Sequence, residues 1–155
     1  MKNPIFKVKN IGNQLILAID FDNTVAVTEF PNIHSLYEDA KRVINKYYDM
    51  GVYIIIWTCR TGKSMLEAEL FLLDCGVKFH KINRQHPKVI HDFCSDTELA
   101  LDLDGKKVFS HLLIDDTSID WAINGHPGWS KLDTQIQQYI DKEPNKWKLN
   151  KIIND

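Results

Sequence analysis

The chain has 155 residues, of which 44% are hydrophobic and 26% charged, and its formal net charge is −2. These values are typical of one globular domain, and no apolar run approaches the roughly 20 residues that a membrane-spanning helix needs. The near-neutral charge gives no general attraction to nucleic acid or to an anionic membrane surface. We therefore expect a single-domain protein without a membrane segment.

The cysteines and the amino terminus predict a cytoplasmic protein. The sequence begins with lysines but has no apolar block that ends in a small-residue cleavage site, so it does not resemble a secretory signal. Its three cysteines are far apart and form no CxxC pair, which predicts free thiols: Cys59, Cys75 and Cys94.

The first two predicted elements are a strand and a helix. Residues 15 to 20 are continuously apolar up to an aspartate, which is typical of a strand that is buried on both faces. Residues 35 to 51 have apolar side chains at helical spacing. A capping box of Ser35 and Glu38 and a terminating Gly51 predict the ends of this helix.

The alternation of strand and helix continues. Residues 52 to 58 have the length and β-branched content of a second strand. The next segment, residues 61 to 76, predicts a helix that begins with a box of Ser64 and Glu67 and ends at Gly76.

Two further strands and a last helix complete the pattern. Residues 77 to 83 and 111 to 116 predict the third and fourth strands, and residues 130 to 144 predict a helix. Strands that alternate with helices indicate an α/β fold, here a single Rossmann-like, three-layer domain with a mainly parallel sheet flanked by helices.

The predicted domain spans the whole chain, 1 to 155, with its core at about residues 15 to 142. Residues 2 to 14 are expected either to form a hairpin that turns at Gly12 and Asn13 or to be loosely held. Residues 83 to 106 are expected to form a hairpin, an irregular excursion or a small flap. The locally basic tail, residues 143 to 155, is expected to be tucked against the core by its tryptophan rather than to bind a partner.

Polar side chains stand at the predicted carboxyl ends of three strands. Ligands of open parallel sheets bind at this edge, where loops and helix amino termini converge. The residues are Asp20 and Asp22 after the first strand, Thr58 and Arg60 after the second, and Asp115 and Asp116 after the fourth. Carboxylate oxygens are ligands that Mg²⁺ prefers, together with a substrate phosphate. A zinc site at His86, His91 and Cys94 is a weaker alternative, because their spacing matches no established pattern and a fourth ligand is missing.

The sequence resembles the haloacid dehalogenase superfamily of aspartate-nucleophile phosphatases. DFDNT matches its DxDxT signature, WTCR supplies the second-strand threonine, and GKKVFSHLLIDD supplies a lysine followed by an acidic pair. The resemblance spans about residues 15 to 122. More narrowly, these motifs are similar to those of small bacterial and phage hydrolases of the superfamily.

The resemblance implies a role for each matched residue. Asp20 would attack phosphorus and become an aspartyl phosphate, while Asp22 would protonate the leaving alkoxide and then activate water. Thr58 would donate a hydrogen bond to a phosphoryl oxygen, and Lys107 would pair with that oxygen and with Asp20. Lys106 and Lys81 are alternatives to Lys107.

The resemblance also implies Mg²⁺ as the cofactor. The ion would be held by Asp20, the backbone carbonyl of Asp22, and Asp115, with Asp116 supporting it directly or through water. Asp120 offers a competing spacing for that supporting role.

Several residues near the predicted site are open to more than one interpretation. Arg60 either contacts the substrate or forms a surface ion pair. The aromatic residues Trp57, Trp121 and Trp129 line a pocket or, more often for such residues, pack in the core. The loop with His126 and Pro127 is expected to lie near the site, without an assigned role.

The expected activity is hydrolysis of a phosphomonoester that belongs to a small molecule or a macromolecule. No full cap domain fits between the motifs, so the site is open to a bulky phosphorylated partner or is covered by another subunit of a homo-oligomer. Alternatives are a non-catalytic module that binds a phosphorylated ligand, a nucleic-acid end phosphatase, and another reaction on the same scaffold, such as phosphonate or haloacid cleavage.

Overall fold

The computed structural model describes residues 12 to 93 and 108 to 150. Within these ranges the chain forms an α/β domain around a four-stranded sheet in the order β5-β4-β1-β6, with every neighbouring pair parallel. The strands are β1 (Ile16–Asp20), β4 (Tyr53–Trp57), β5 (Lys81–Ile82) and β6 (Leu112–Ile114). The predicted fold class, a Rossmann-like domain with a mainly parallel sheet, is confirmed.

Helices cover both faces of the sheet. They are α1 (Ala40–Asp49), α2 (Gly62–Asp74), α3 (Pro87–Phe93), α4 (Ile119–Asn124) and α5 (Trp129–Asp141). One face of the sheet packs against α1, α2 and α5 through a core that includes Ile19, Ile44 and Ile136. The other face packs Ile55 against Val89 of α3. Because β1 is buried on both faces, its residues are almost all apolar until the chain emerges at Asp20.

A two-stranded antiparallel hairpin follows β1, formed by β2 (Ala26–Glu29) and β3 (Asn32–Leu36). The prediction of a helix from residue 35 was therefore wrong at its start, because Ser35 pairs with Val27 in the hairpin. The helix begins at Ala40, after Asp39 in a left-handed conformation with φ 64°. Cross-strand pairing decides the structure here, although the side-chain spacing also fits a helix.

The other element boundaries differ from the predictions in smaller ways. The capping box of α2 joins Thr61 and Ser64 rather than Ser64 and Glu67. The third strand is limited to Lys81–Ile82. It starts directly after His80, whose backbone N–H donates to the carbonyl of Ile54 in β4 at 2.9 Å.

The described helices and cysteines agree with the predictions made from the amino-acid composition. None of the helices found between residues 12 and 150 has the length and apolarity that crossing a membrane requires. Cys59 and Cys75 are free thiols, while Cys94 lies outside the described residues. Trp147 is 8% exposed, which confirms that it tucks the start of the tail against the core.

Two predicted segments are described only in part. Gly12 and Asn13 lie in a turn, but the remainder of the predicted amino-terminal hairpin lies outside the described residues. Helix α3 occupies part of the predicted excursion at residues 83 to 106, of which residues 94 to 106 also lie outside them.

Candidate functional site

Three carboxylates meet at the carboxyl edge of the sheet. Asp20 ends β1, and Asp115 and Asp116 follow β6, which pairs directly with β1. One carboxylate oxygen from each of these residues lies within 4.8 Å of the others. This acidic trio joins two parts of the chain that are 95 residues apart only because the two strands are parallel neighbours.

The local electrostatics of the trio disfavour three negative charges. Burial raises the pKa of Asp20 to about 8, with further increases from Asp115 and Asp116 and a partial offset from a hydrogen bond with Thr24. Burial also raises the pKa of Asp116. A bound cation would relieve this repulsion, so the oxygen-rich trio fits a hard divalent ion such as Mg²⁺.

Asp115 and Asp120 are distinguished by their partners. The Oδ1 atom of Asp115 accepts hydrogen bonds from the backbone N–H and the hydroxyl of Thr117, at 2.9 and 2.8 Å, which fixes the carboxylate. Asp120 lies in α4 and accepts a hydrogen bond from Asn124 at 2.9 Å. Among the described residues, Asp116 rather than Asp120 belongs to the trio.

Thr24 connects the trio to the interior of the protein. It is fully buried, its hydroxyl donates to Oδ2 of Asp20 at 2.9 Å, and the same hydroxyl oxygen accepts the backbone N–H of Asp116 at 3.2 Å. Its carbonyl oxygen lies 2.9 Å from the indole nitrogen of Trp129 and 3.0 Å from Nε2 of His126. The role of this threonine as a junction was missed from the sequence, although the DxDxT spacing singled it out.

Arg60 and Asp22 form an ion pair beside the trio. The guanidinium Nη2 lies 2.7 Å from Oδ1 of Asp22, and Nε lies 2.9 Å from Oδ2. Arg60 is only 2% exposed, so the prediction of a surface ion pair was wrong in its location: the partner is Asp22 and the pair is largely buried.

The other groups around Arg60 are a backbone carbonyl of the hairpin turn and two phenylalanine rings. Its Nη1 donates to the carbonyl of Pro31 at 3.0 Å, at the turn of the β2–β3 hairpin. The rings of Phe21 and Phe30 lie 5.2 and 5.0 Å from the guanidinium carbon. Arg60 therefore links the hairpin turn to Asp22, and its predicted contact with a substrate stays a prediction.

Asp22 is held as a carboxylate. Burial alone would raise its pKa, but hydrogen bonds from Arg60 and Thr28 outweigh burial and lower the pKa below its usual value. The Thr28 hydroxyl donates to Oδ1 at 2.7 Å. The carboxylate of Asp22 is not a member of the trio, so its predicted metal contact, through the backbone carbonyl, stays a prediction.

Thr58 lies at the end of β4, as predicted, and is 7% exposed. Its hydroxyl oxygen accepts the backbone N–H of Arg60 at 3.1 Å. The Asn83 side chain binds the backbone of Thr58 on both sides, accepting from its N–H and donating to its carbonyl, each at 2.8 Å. Asn83 was missed from the sequence, where only its place as the last residue of the predicted third strand indicated this edge of the sheet.

The other predicted site residues have separate outcomes. Lys107 and its alternative Lys106 lie outside the described residues, while Lys81 lies in β5, on the opposite side of β4 from β1. Of the predicted zinc set, His86 is bound through Nε2 to Gln14 at 2.9 Å, and the side chains of the other two residues lie outside the described part of the chain. Trp129 is a core residue.

Comparison with known proteins supports the fold alone. No family model and no curated protein matches the chain. A solved structure, titled the structure of a conserved protein coded by a locus from Bacteroides thetaiotaomicron, is similar with a TM-score of 0.65 and 24% sequence identity. The similarity covers 82% of this chain and 93% of that chain. The chain therefore shares its architecture with that bacterial protein.

Proposed function

We propose that this protein is a Mg²⁺-dependent phosphomonoester hydrolase of the haloacid dehalogenase type, with Asp20 as the nucleophile. The observation that carries the proposal is the acidic trio, which stands at the carboxyl edge of a parallel sheet where the DxDxT motif ends β1. Binding sites of open α/β sheets lie at this edge.

The proposed reaction passes the phosphoryl group to the protein and then to water. A carboxylate oxygen of Asp20 attacks phosphorus, and the bond between phosphorus and the alcohol oxygen breaks. The departing oxygen takes its proton from Asp22, which then removes a proton from the water that hydrolyses the aspartyl phosphate. Thr58 and Lys107 are the proposed partners of the phosphoryl oxygens.

The metal site of the proposed enzyme consists of the trio. Asp20, Asp115 and Asp116 would hold Mg²⁺, and when bound the ion offsets the negative charges of the nucleophile and the phosphate. Burial raises the pKa of Asp20 to about 8, so a bound cation would also favour the ionised form that acts as nucleophile.

The test is phosphate release from a panel of phosphorylated metabolites, sugars and oligonucleotides in the presence of Mg²⁺. We expect turnover of at least one substrate class, and a loss of about 10³-fold or more in kcat for Asp20→Asn because the nucleophile is absent. Asp120→Asn is the matched control, since Asp120 lies outside the trio and should keep near-normal activity. Absence of turnover on the whole panel, or full activity of Asp20→Asn, would contradict the proposal.

A second candidate function is binding of a phosphorylated ligand without hydrolysis. The ion pair with Arg60 favours it, because a carboxylate with a lowered pKa is a poor proton donor. In the hydrolase, Arg60 would have to release Asp22 when the substrate binds. This function would be favoured if the protein bound phosphate esters at equilibrium but released no phosphate from them.

The proposed setting is the cytoplasm, with a phosphorylated small molecule or macromolecule as partner. The free thiols of Cys59, which is exposed, and Cys75 support a reducing compartment. Fractionation of cells that express the intact chain would test the location.

A further inference from the structure

We propose that His126 and Trp129 are positioning residues that hold the nucleophile in place through Thr24. The inference rests on the proposed function, because that function makes Asp20 the nucleophile, and it assigns a task to the loop that precedes α5 and to the first residue of that helix. Neither side chain is in the acidic trio, and both act on the backbone of Thr24.

Two donors converge on one carbonyl oxygen. The indole N–H of Trp129 donates to the Thr24 carbonyl at 2.9 Å. The backbone N–H of Gly128 donates to Nδ1 of His126 at 2.9 Å, so Nδ1 is the unprotonated nitrogen of a neutral ring. Nε2 then carries the proton and donates to the same carbonyl at 3.0 Å. Both acceptor sites of the Thr24 carbonyl are thus occupied by side chains more than 100 residues away in the chain.

Packing fixes the two donors. Trp129 is 1% exposed and belongs to the main core. The ring of His126 is stacked on Tyr37 with centroids 4.1 Å apart, and the ring of Trp121 lies 4.7 Å away on a tilted plane. The position of the Thr24 backbone is therefore set by rigid aromatic groups.

The side chain of Thr24 transmits this position to the site. Its hydroxyl donates to Oδ2 of Asp20 at 2.9 Å and accepts the N–H of Asp116, so it contacts both halves of the trio. The intervening chain turns sharply at Asn23, with φ 56°, which keeps Thr24 close to Asp20. Loss of either donor should let the hydroxyl move, and misplacement by about 1 Å can cost a factor of 10² in rate.

The kinetic test uses four variants. His126→Phe keeps a stacking ring but removes the donor, and we expect kcat to fall about tenfold with KM within about twofold. His126→Gln restores an N–H donor and should recover most of that loss. Trp129→Phe should resemble His126→Phe. Trp147→Phe is the matched control, because Trp147 is similarly buried at 8% exposure but has no bond to Thr24, and it should keep the wild-type kcat.

Coupling through Thr24 separates positioning from a general loss of stability. Thr24→Val removes the hydroxyl, so adding His126→Phe to it should lower kcat by less than about twofold more, whereas independent effects would multiply. Wild-type kcat in both His126→Phe and Trp129→Phe, or losses equal to that of Trp147→Phe, would overturn the inference and leave the hydrolase proposal standing.

A spectroscopic measurement tests the link without any activity. The indole ¹H–¹⁵N signal of Trp129, identified by its loss in Trp129→Phe, should shift in Thr24→Val and in Asp20→Asn, while the signal of Trp147 stays in place. Unchanged Trp129 signals in both variants would overturn the inference. If the wild-type protein releases no phosphate, the proposed function fails, and this measurement alone decides whether the link to Asp20 exists.

Discussion

Arg60 has the chemistry of a structural clamp. Its planar guanidinium binds Asp22 through two nitrogens and the Pro31 carbonyl through the third, and it lies against two phenylalanine rings. A flexible lysine could not make this set of contacts, because it lacks the planar fork of donors. Arg60, which lies three residues after the end of β4, thus fixes both the proton-transfer candidate and the hairpin turn.

We predict that Arg60→Met destabilises the protein by about 3 kcal/mol, because it leaves the Asp22 carboxylate in a partly buried site without its cation. Unfolding in urea, followed by circular dichroism, measures the change. The double variant Arg60→Met/Asp22→Asn should recover part of the loss, since it removes the unpaired charge. A loss below about 0.5 kcal/mol, the range of an ordinary surface substitution, would contradict a buried clamp.

At the scale of single residues, the sequence predicts which side chains lie at the carboxyl edge of the sheet, but it does not predict which residues they contact. DFDNT and the acidic pair mark Asp20, Asp115 and Asp116, because these carboxylates follow apolar strands at the edge where open parallel sheets bind ligands. The pairing of Arg60 with Asp22, 38 positions apart in the sequence, depends on the course of the chain between them, which contains the hairpin. No local pattern encodes that distance.

The elements of the sheet were predicted better than the hairpin. Continuous apolar runs define β1 and β4, since a strand buried on both faces has little room for polar residues. The hairpin is short, and Leu36 also fits the spacing of the following helix. Its structure depends on tertiary hydrogen bonds such as that from the N–H of Tyr37 to the carbonyl of Val25 at 2.9 Å.

Two histidines bind the backbone near the starts of strands. Nδ1 of His111 accepts the N–H of Ile16 at 2.9 Å, and Nδ1 of His80 accepts the N–H of Ile54 at 3.0 Å. Burial lowers the pKa of His111 to about 4, with a smaller effect from Lys146, and burial also lowers the pKa of His80. Protonation of Nδ1 would remove the acceptor that each backbone donor needs.

We predict that the two histidines contribute a free energy of unfolding that is complete above about pH 6.5 and is lost as the pH falls toward 4, because in this window the unfolded histidines bind protons and the folded ones do not. The raised pKa of Asp20 acts in the opposite direction over the same window, because the folded state keeps a proton that the unfolded state has released. The histidine contribution is therefore measured as the difference between the wild type and His111→Asn, whose amide oxygen can accept the same N–H without titrating. In urea unfolding at a series of pH values, stability should rise less steeply with pH in His111→Asn than in the wild type.

At the scale of the whole molecule, the trio forms because β1 and β6 are neighbours in a parallel sheet. The strand–helix alternation predicts the parallel sheet. It does not predict the order of the strands, because helical connections of similar length are compatible with several orders. The cap-free organisation agrees with the described residues, which show a small hairpin after β1 rather than an inserted domain. The predicted flap and Lys107 fall outside those residues.

We predict that Mg²⁺ raises the melting temperature, because on the proposed function the folded trio would bind the ion and the unfolded chain would not. A hundredfold excess over Kd contributes about 2.7 kcal/mol, or about 5 to 10 °C for a domain of this size. Differential scanning calorimetry with and without Mg²⁺ measures the shift. Asp115→Asn should abolish most of it and Asp120→Asn should not; equal shifts in both variants would contradict a site at the trio.

The placement of β1 beside β6 also bears on synthesis at the ribosome. Translation delivers Asp20 together with the hairpin and β4 well before Asp115 and Asp116, which follow Asp20 by 95 and 96 residues. A nascent chain that stops before β6 therefore contains the proposed nucleophile without the acidic pair. On the proposed function, such prematurely terminated products would be inert, and catalytic competence would arise only after β6 has been synthesised.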